Sequence, residues 1–237
     1  MRRVRVGSRR EQIRTWPPVP LAEMSGGFPA EQYLEQQLRA DPSRVEELIV
    51  CPDGVDEKVW IAENMRMFLR ELNDFILFFK DVCTAETKPV MKITLGGDQC
   101  VFLCSAFDPP REVSAISYMT LTVDQATMMF TSEKQFPSRS VVKKSSAKQF
   151  SVWARRIYRI FAFAYYEHRA EYDLYEASRH LCERFTRFCL LHKLMKADGL
   201  MIPATGSSAP PQSGAAAAAS LSSSTSTCTS ATAADVL

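Results

Sequence analysis

Three arginines on one predicted helix are the residues best suited to chemistry in this chain. They are Arg155, Arg156 and Arg159, within Lys148 to His168, KQFSVWARRIYRIFAFAYYEH. Arg155 and Arg159 are four apart and share a helix face, while Arg156 lies about 100° further round. Guanidinium forks match the oxygens of a phosphate bidentately, so phosphate capture is the chemistry this spacing offers. The competing reading is a solvated or ion-paired helix face. His168, His180 and His192 recur at twelve-residue intervals, which says nothing about a metal cluster. Acidic neighbours such as Glu46 with Glu47, or Glu171 with Asp173, read as solvated helix charges rather than a catalytic pair.

No catalytic constellation forms around these residues. The sequence contains no GxSxG, no HExxH and no kinase or NTPase signature. Gly96-Gly97 fits neither GxGxxG nor GxxxxGK, so it is not a phosphate loop. Seven cysteines, at 51, 83, 100, 104, 182, 189 and 228, are odd in number and irregular in spacing. They read as reduced thiols used mostly as small core residues. An enzyme is not expected.

The elements that must position the arginines follow from apolar periodicity. In the central helix Val152, Trp153, Ile157, Ile160, Phe161, Phe163 and Ala164 form a broad apolar face. A longer periodic segment runs from Glu57 to Val82, with Ile61, Met65, Phe68, Leu72, Phe75, Ile76, Phe79 and Val82 at helical intervals. Two short helices are predicted at 30–39 and 42–50, the second with Ser43 and Glu46 at capping-box spacing. Residues 89–94 and 99–105 flank Leu95-Gly96-Gly97-Asp98 and predict a hairpin. A short helix is predicted near 123–131. A last one spans 171–194, with Leu174, Leu181, Phe185, Phe188 and Leu191 or His192 as its stripe. The fold class is mainly α, with one small β-hairpin.

Composition sets the limits. With 29 basic and 27 acidic residues in 237, nothing predicts bulk attraction to nucleic acid. No apolar run reaches the roughly 18 residues of a membrane span, and no signal-peptide core follows the N-terminal arginines, so an intracellular protein is expected. Residues 1–28 form an Arg-rich arm with Arg2, Arg3, Arg5, Arg9, Arg10 and Arg14. Residues 29–204 form the domain. Residues 205–237, almost entirely Ser, Ala, Thr, Pro and Gly, are expected to be disordered.

Several runs resemble the Mob (Mps one binder) family, in its phocein-like branch. They include EQYLEQQLRADPS (31–43), PDGVDEKVW (52–60), LRELND (69–74), CTAETKPVM (83–91), FLCSA (102–106), FPSR (136–139), RRIYRIFAFAYYEHR (155–169) and LCERFTRF (181–188). The resemblance spans about residues 1–204 and leaves out the tail. It implies a helical bundle with a four-helix core plus short helices. It also implies a basic pocket for a phosphothreonine peptide at Arg155, Arg156 and Arg159.

The resemblance further implies a zinc site, and here the chain departs from it. The two cysteine positions fall on Cys83 and Lys88, and the two histidine positions on Phe163 and His168. A structural zinc wants four N or S donors, and neither phenylalanine nor a charged lysine supplies one. Bound zinc is therefore not expected. Phe163 should fill the vacated volume, Lys88 should carry its charge to solvent along its stem, and Cys100 or Cys104 are the candidate substitute ligands. A second departure is Val59, where kinase-activating members carry an acid before the matching tryptophan, here Trp60.

The function implied is a non-catalytic adaptor linking a striatin-like scaffold and type 2A phosphatase to germinal-centre-type kinases. Its expected location is the cytoplasm, peripherally at the Golgi or other membranes, with a part in vesicle trafficking. The alternative is a kinase co-activator that binds the N-terminal extension of a Mob-regulated kinase.

Overall fold

The computed structural model describes Gly7, Arg9, residues 18–24 and residues 28–203. The rest of the predicted arm, including Arg2, Arg3, Arg5, Arg10, Arg14 and Trp16, lies outside the described residues, as does the predicted tail 205–237. Seven α-helices and one two-stranded sheet follow in chain order. They are α1 (Pro29–Ala40), α2 (Val45–Ile49), α3 (Glu57–Phe79), β1 (Lys92–Leu95), β2 (Asp98–Val101), α4 (Ala115–Thr131), α5 (Lys144–Glu167), α6 (Arg169–Arg179) and α7 (Leu181–Leu191).

Helix α3 is the axis of the core. Asp56 caps its N-terminus, accepting from the N–H of Lys58 at 2.9 Å and of Val59 at 3.1 Å. The predicted stripe is buried, with Met65, Leu72 and Phe75 at zero exposure. Val82 lies beyond the helix end and is exposed. Helices α4, α5, α6 and α7 pack round α3. Phe75 meets Phe161 of α5 and Tyr175 of α6 edge-on, at 5.5 and 5.0 Å between ring centroids. Phe68 meets Phe185 and Phe188 of α7 at 5.2 and 5.5 Å.

The hairpin is shorter than predicted and pairs Lys92 with Val101 and Leu95 with Asp98. Its connection is Gly96-Gly97 alone, with φ of 58° and 98°, a tight turn that glycine permits without strain. It packs on α5 through β1, where Ile93 is fully buried.

Four further boundaries or caps differ from the sequence expectation. α4 begins at Ala115 rather than near 123, because Ser114 caps it by accepting from Ser117 N–H at 3.3 Å. α5 begins four residues earlier, at Lys144. Ser43 does not cap α2; its hydroxyl donates instead to Asp41 at 2.6 Å.

The fourth difference is the largest. The predicted helix 171–194 is two helices, broken at His180 in the left-handed region (φ 49°). The break is held by Glu176, whose carboxylate accepts from the N–H of Cys182 and Glu183 at 3.0 and 2.8 Å. The change of axis leaves Leu174 67 % exposed while Leu181, Phe185 and Phe188 are buried. Of the two candidates that close the stripe, His192 is the one whose side chain is covered, at 4 % exposure against 49 % for Leu191.

Candidate phosphate-binding face and the Lys88 junction

The three arginines lie on the face of α5 away from its buried stripe. Arg155 is exposed and makes no ion pair among the described residues. Arg156 and Arg159 are half-buried, each resting on an aromatic ring. The Arg156 guanidinium carbon lies 4.9 Å from the Trp153 ring centroid, and that of Arg159 lies 5.4 Å from Phe102. Trp153 is one turn back on the same helix. Phe102 directly follows β2, is itself buried, and is held by its N–H donating to Met91 C=O at 2.8 Å.

This arrangement preorganises charge. A guanidinium laid on a ring loses fewer rotamers on meeting a phosphate than one free in solvent. The structure thus places Arg155, Arg156 and Arg159 on one helix edge, as predicted, and adds Phe102 and Trp153 as their supports. The Trp153 contact was readable from spacing on one helix. The Phe102 contact was not, since nothing in the sequence indicates which turn of α5 the hairpin covers.

The C-terminal end of α5 carries the second set of predicted residues. Cys83 is fully buried just after α3, and burial pushes its thiol from 9.0 to about 11 while Lys88 pulls the other way. His168 occupies the junction of α5 and α6, with its ring 5.8 Å from Phe79 and 5.6 Å from Phe163. Its Nε2 is buried and has no hydrogen-bond partner among the described residues. Burial, and then the Lys88 charge, lower the pKa of His168.

Phe163 fills the space assigned to it, at 1 % exposure. Lys88 does not behave as expected. Rather than extending into solvent, its ammonium forms an ion pair with Glu167, the last residue of α5. Both side chains are largely covered, at 27 % and 19 % exposure, so the carboxylate holds the ammonium down better than water would. The loop carrying Lys88 is fixed as well. Thr84 and Thr87 exchange bonds between backbone N–H and side-chain hydroxyl at 2.9 and 3.2 Å, and Lys88 C=O accepts from Ala115 N–H at 3.0 Å.

The donor set does not fit zinc. Phe163 and an ion-paired Lys88 offer no ligand, which leaves Cys83 and His168 as two donors where a structural zinc wants four. Cys104 pairs with Arg111 through the backbone alone and Cys100 lies within β2; neither thiol joins Cys83 and His168 in a donor group. Among the described residues no three His, Cys, Asp or Glu side chains group so as to hold a metal ion.

Three further polar connections escaped the sequence reading. Glu63, 3 % exposed, accepts from Arg66 at 2.7 Å and from Arg139 at 2.9 Å, tying the FPSR run to α3. Arg184 of α7 reaches Glu71 of α3. Tyr158 of α5 accepts from the N–H of Met201 and Ile202 at 2.9 and 2.8 Å, and Tyr166 donates to Met201 C=O at 2.5 Å. A groove of about 880 Å³ lies between residues 18–24, α1 and residues 52–55, and none of the three arginines lines it. Among the described residues no helix is long and apolar enough to cross a membrane.

Comparison with known proteins gives consistent matches. The model of the Mob1/phocein family matches residues 36–200. The chain is 39 % identical over 212 residues to MOB kinase activator-like 4 of Drosophila melanogaster, covering 89 % of this chain and 94 % of that one. It is 36 % identical over 203 residues to MOB-like protein phocein of Caenorhabditis elegans, covering 86 % and 90 %. A more distant likeness, 26 % over 125 residues, is to MOB kinase activator-like 2 of Dictyostelium discoideum.

Proposed function

The chain belongs to the Mob1/phocein family, and from that premise we propose that it is a non-catalytic adaptor of the phocein-like kind. It joins a striatin-type scaffold that brings a type 2A phosphatase together with germinal-centre-type kinases. Its α5 arginines capture a phosphorylated threonine segment of a partner. It works in the cytoplasm, at Golgi and other membrane surfaces by way of its partners.

The observation that carries this reading is the arginine face itself. Arg155 is open to solvent, and Arg156 and Arg159 are steadied by Trp153 and Phe102. A dianionic phosphate would match the guanidinium forks there in charge and geometry, whereas an unphosphorylated hydroxyl would offer them neither. The similarity to a phocein over nearly the whole of both chains supports the choice of branch.

The test has two arms. A phosphothreonine peptide library should yield binders that lose affinity at least tenfold when the phosphate is removed, and again in Arg155→Ala/Arg156→Ala. Equal binding of phosphorylated and unphosphorylated peptides rejects the pocket. Affinity purification of the full chain should return a striatin-like scaffold and phosphatase subunits. Recovery of a kinase bound through its N-terminal extension, without them, would favour a co-activator instead. That alternative draws support from the name of the Drosophila relative, and the neutral, buried Val59 before Trp60 counts against it.

A further inference from the structure

The junction between the end of α3 and the end of α5 brings four side chains together. Cys83 and His168 both lie within the field of the Lys88 ammonium, and His168 is in ring contact with Phe163. Cys83 and Phe163 are closed to solvent, His168 is half-buried with its Nε2 covered, and Lys88 is covered to about three quarters of its surface.

We infer that these four positions keep the framework of a metal site in which the cross-link is now the Lys88–Glu167 ion pair. The pair spans the same two elements that ligands at 83, 88, 163 and 168 would join. It closes a connection between residues 79 apart in sequence, as a bound ion would. Phe163, tilted at 60° to the imidazole, supplies the packing where a fourth ligand would stand. Glu167 follows the buried stretch from Ile160 to Ala164 on α5 and is fixed by it, so its carboxylate is held ready for the loop.

The exchange alters what the junction responds to. A metal cross-link fails under chelation or thiol oxidation, and its affinity depends on deprotonated ligands. An ammonium–carboxylate pair is indifferent to both and answers instead to ionic strength. The domain is thereby stabilised without zinc.

The experiment uses the full chain. Wild-type protein dialysed against zinc and then buffer is expected to hold well under one equivalent of metal, with a melting temperature unchanged by a strong chelator. Lys88→Met and Glu167→Gln should each lower the melting temperature by about 2–4 °C, and the double variant should lower it by less than the sum. Lys88→Cys/Phe163→His should gain one equivalent of Co²⁺ with the visible spectrum of a tetrahedral Cys₂His₂ site, and become sensitive to chelator. Stoichiometric zinc in the wild type, or fully additive effects of Lys88→Met and Glu167→Gln, would overturn the inference. So would a folded Lys88→Cys/Phe163→His protein that takes up no metal. If that variant fails to fold, the chelator result and the additivity measurement on the wild-type framework still decide.

Discussion

Arg184 of α7 and Glu71 of α3 form a two-pronged ion pair, with Nη1 3.1 Å from Oε1 and Nη2 2.5 Å from Oε2. Arg184 is 2 % exposed, so its charge has been taken from water and depends on this carboxylate and on Arg179 C=O at 3.3 Å. Glu71→Ala is therefore expected to cost about 3–5 kcal/mol, since it leaves a buried guanidinium unpaired. Arg184→Met combined with Glu71→Met should recover much of that loss. Urea unfolding measures both, and a single-variant cost under about 1 kcal/mol contradicts the pairing.

The arginine face should be separable from the fold. Arg155 is exposed and outside the core, so Arg155→Ala should move stability by no more than about 0.5 kcal/mol. Its effect should fall on phosphopeptide affinity, which should also weaken steadily with added salt. Phe102→Leu, which keeps an apolar residue but removes the ring under Arg159, should weaken binding less than Arg159→Ala does. Unchanged affinity in Phe102→Leu would show that the ring has no part in positioning the guanidinium.

Alkaline pH should loosen the domain through Tyr158. Burial raises its phenol from 10.0 to about 12, and Tyr175 on α6 is raised likewise. A raised folded pKa means that the folded state keeps its proton where the unfolded chain has lost it. The contribution is complete below pH 10 and disappears as pH climbs towards about 12. Tyr158→Phe should show a shallower fall in melting temperature over that range. It should also start lower at neutral pH, by about 1–3 kcal/mol, because the N–H groups of Met201 and Ile202 lose their acceptor. An unchanged alkaline slope in Tyr158→Phe would assign the effect elsewhere.

Asp56→Ala should cost about 1 kcal/mol, the usual loss for removing an N-cap carboxylate that satisfies two backbone donors. Asp56→Asn should retain most of that stability. Thermal unfolding of the pair separates a cap from a general charge effect, which would make both variants equally weak.

The bundle was legible wherever one helix carried its own evidence. The apolar stripe of α3 repeats at helical intervals, and its burial follows from that period alone. Gly96-Gly97 announced the hairpin for an equally local reason, since the turn demands positive φ. The break at His180 left no such mark. It uses neither glycine nor proline, and its stabilising group is a carboxylate four residues upstream that caps the next helix. The start of α4 was hidden because its first turns mix apolar and hydroxyl residues without a clean stripe.

The candidate site divides along the same line. Residue type and spacing singled out Arg155, Arg156 and Arg159 on one helix, and Lys88 and Phe163 as positions whose side chains offer no zinc ligand. Pairings between distant segments carry no local signature. Nothing in the sequence singles out Glu167, and Phe102 simply falls within the predicted strand 99–105. Only the packed structure shows that one anchors a lysine and the other supports an arginine.

The grip of Tyr158 and Tyr166 on Met201 and Ile202 acts as a mooring post for whatever follows in the chain. Tyr158 stands three residues from Arg155, about 4.5 Å along the axis of α5. The two phenols therefore tie the C-terminal end of the described residues to the same helix that carries the arginine edge, so a change that loosens either hydroxyl would be felt along α5.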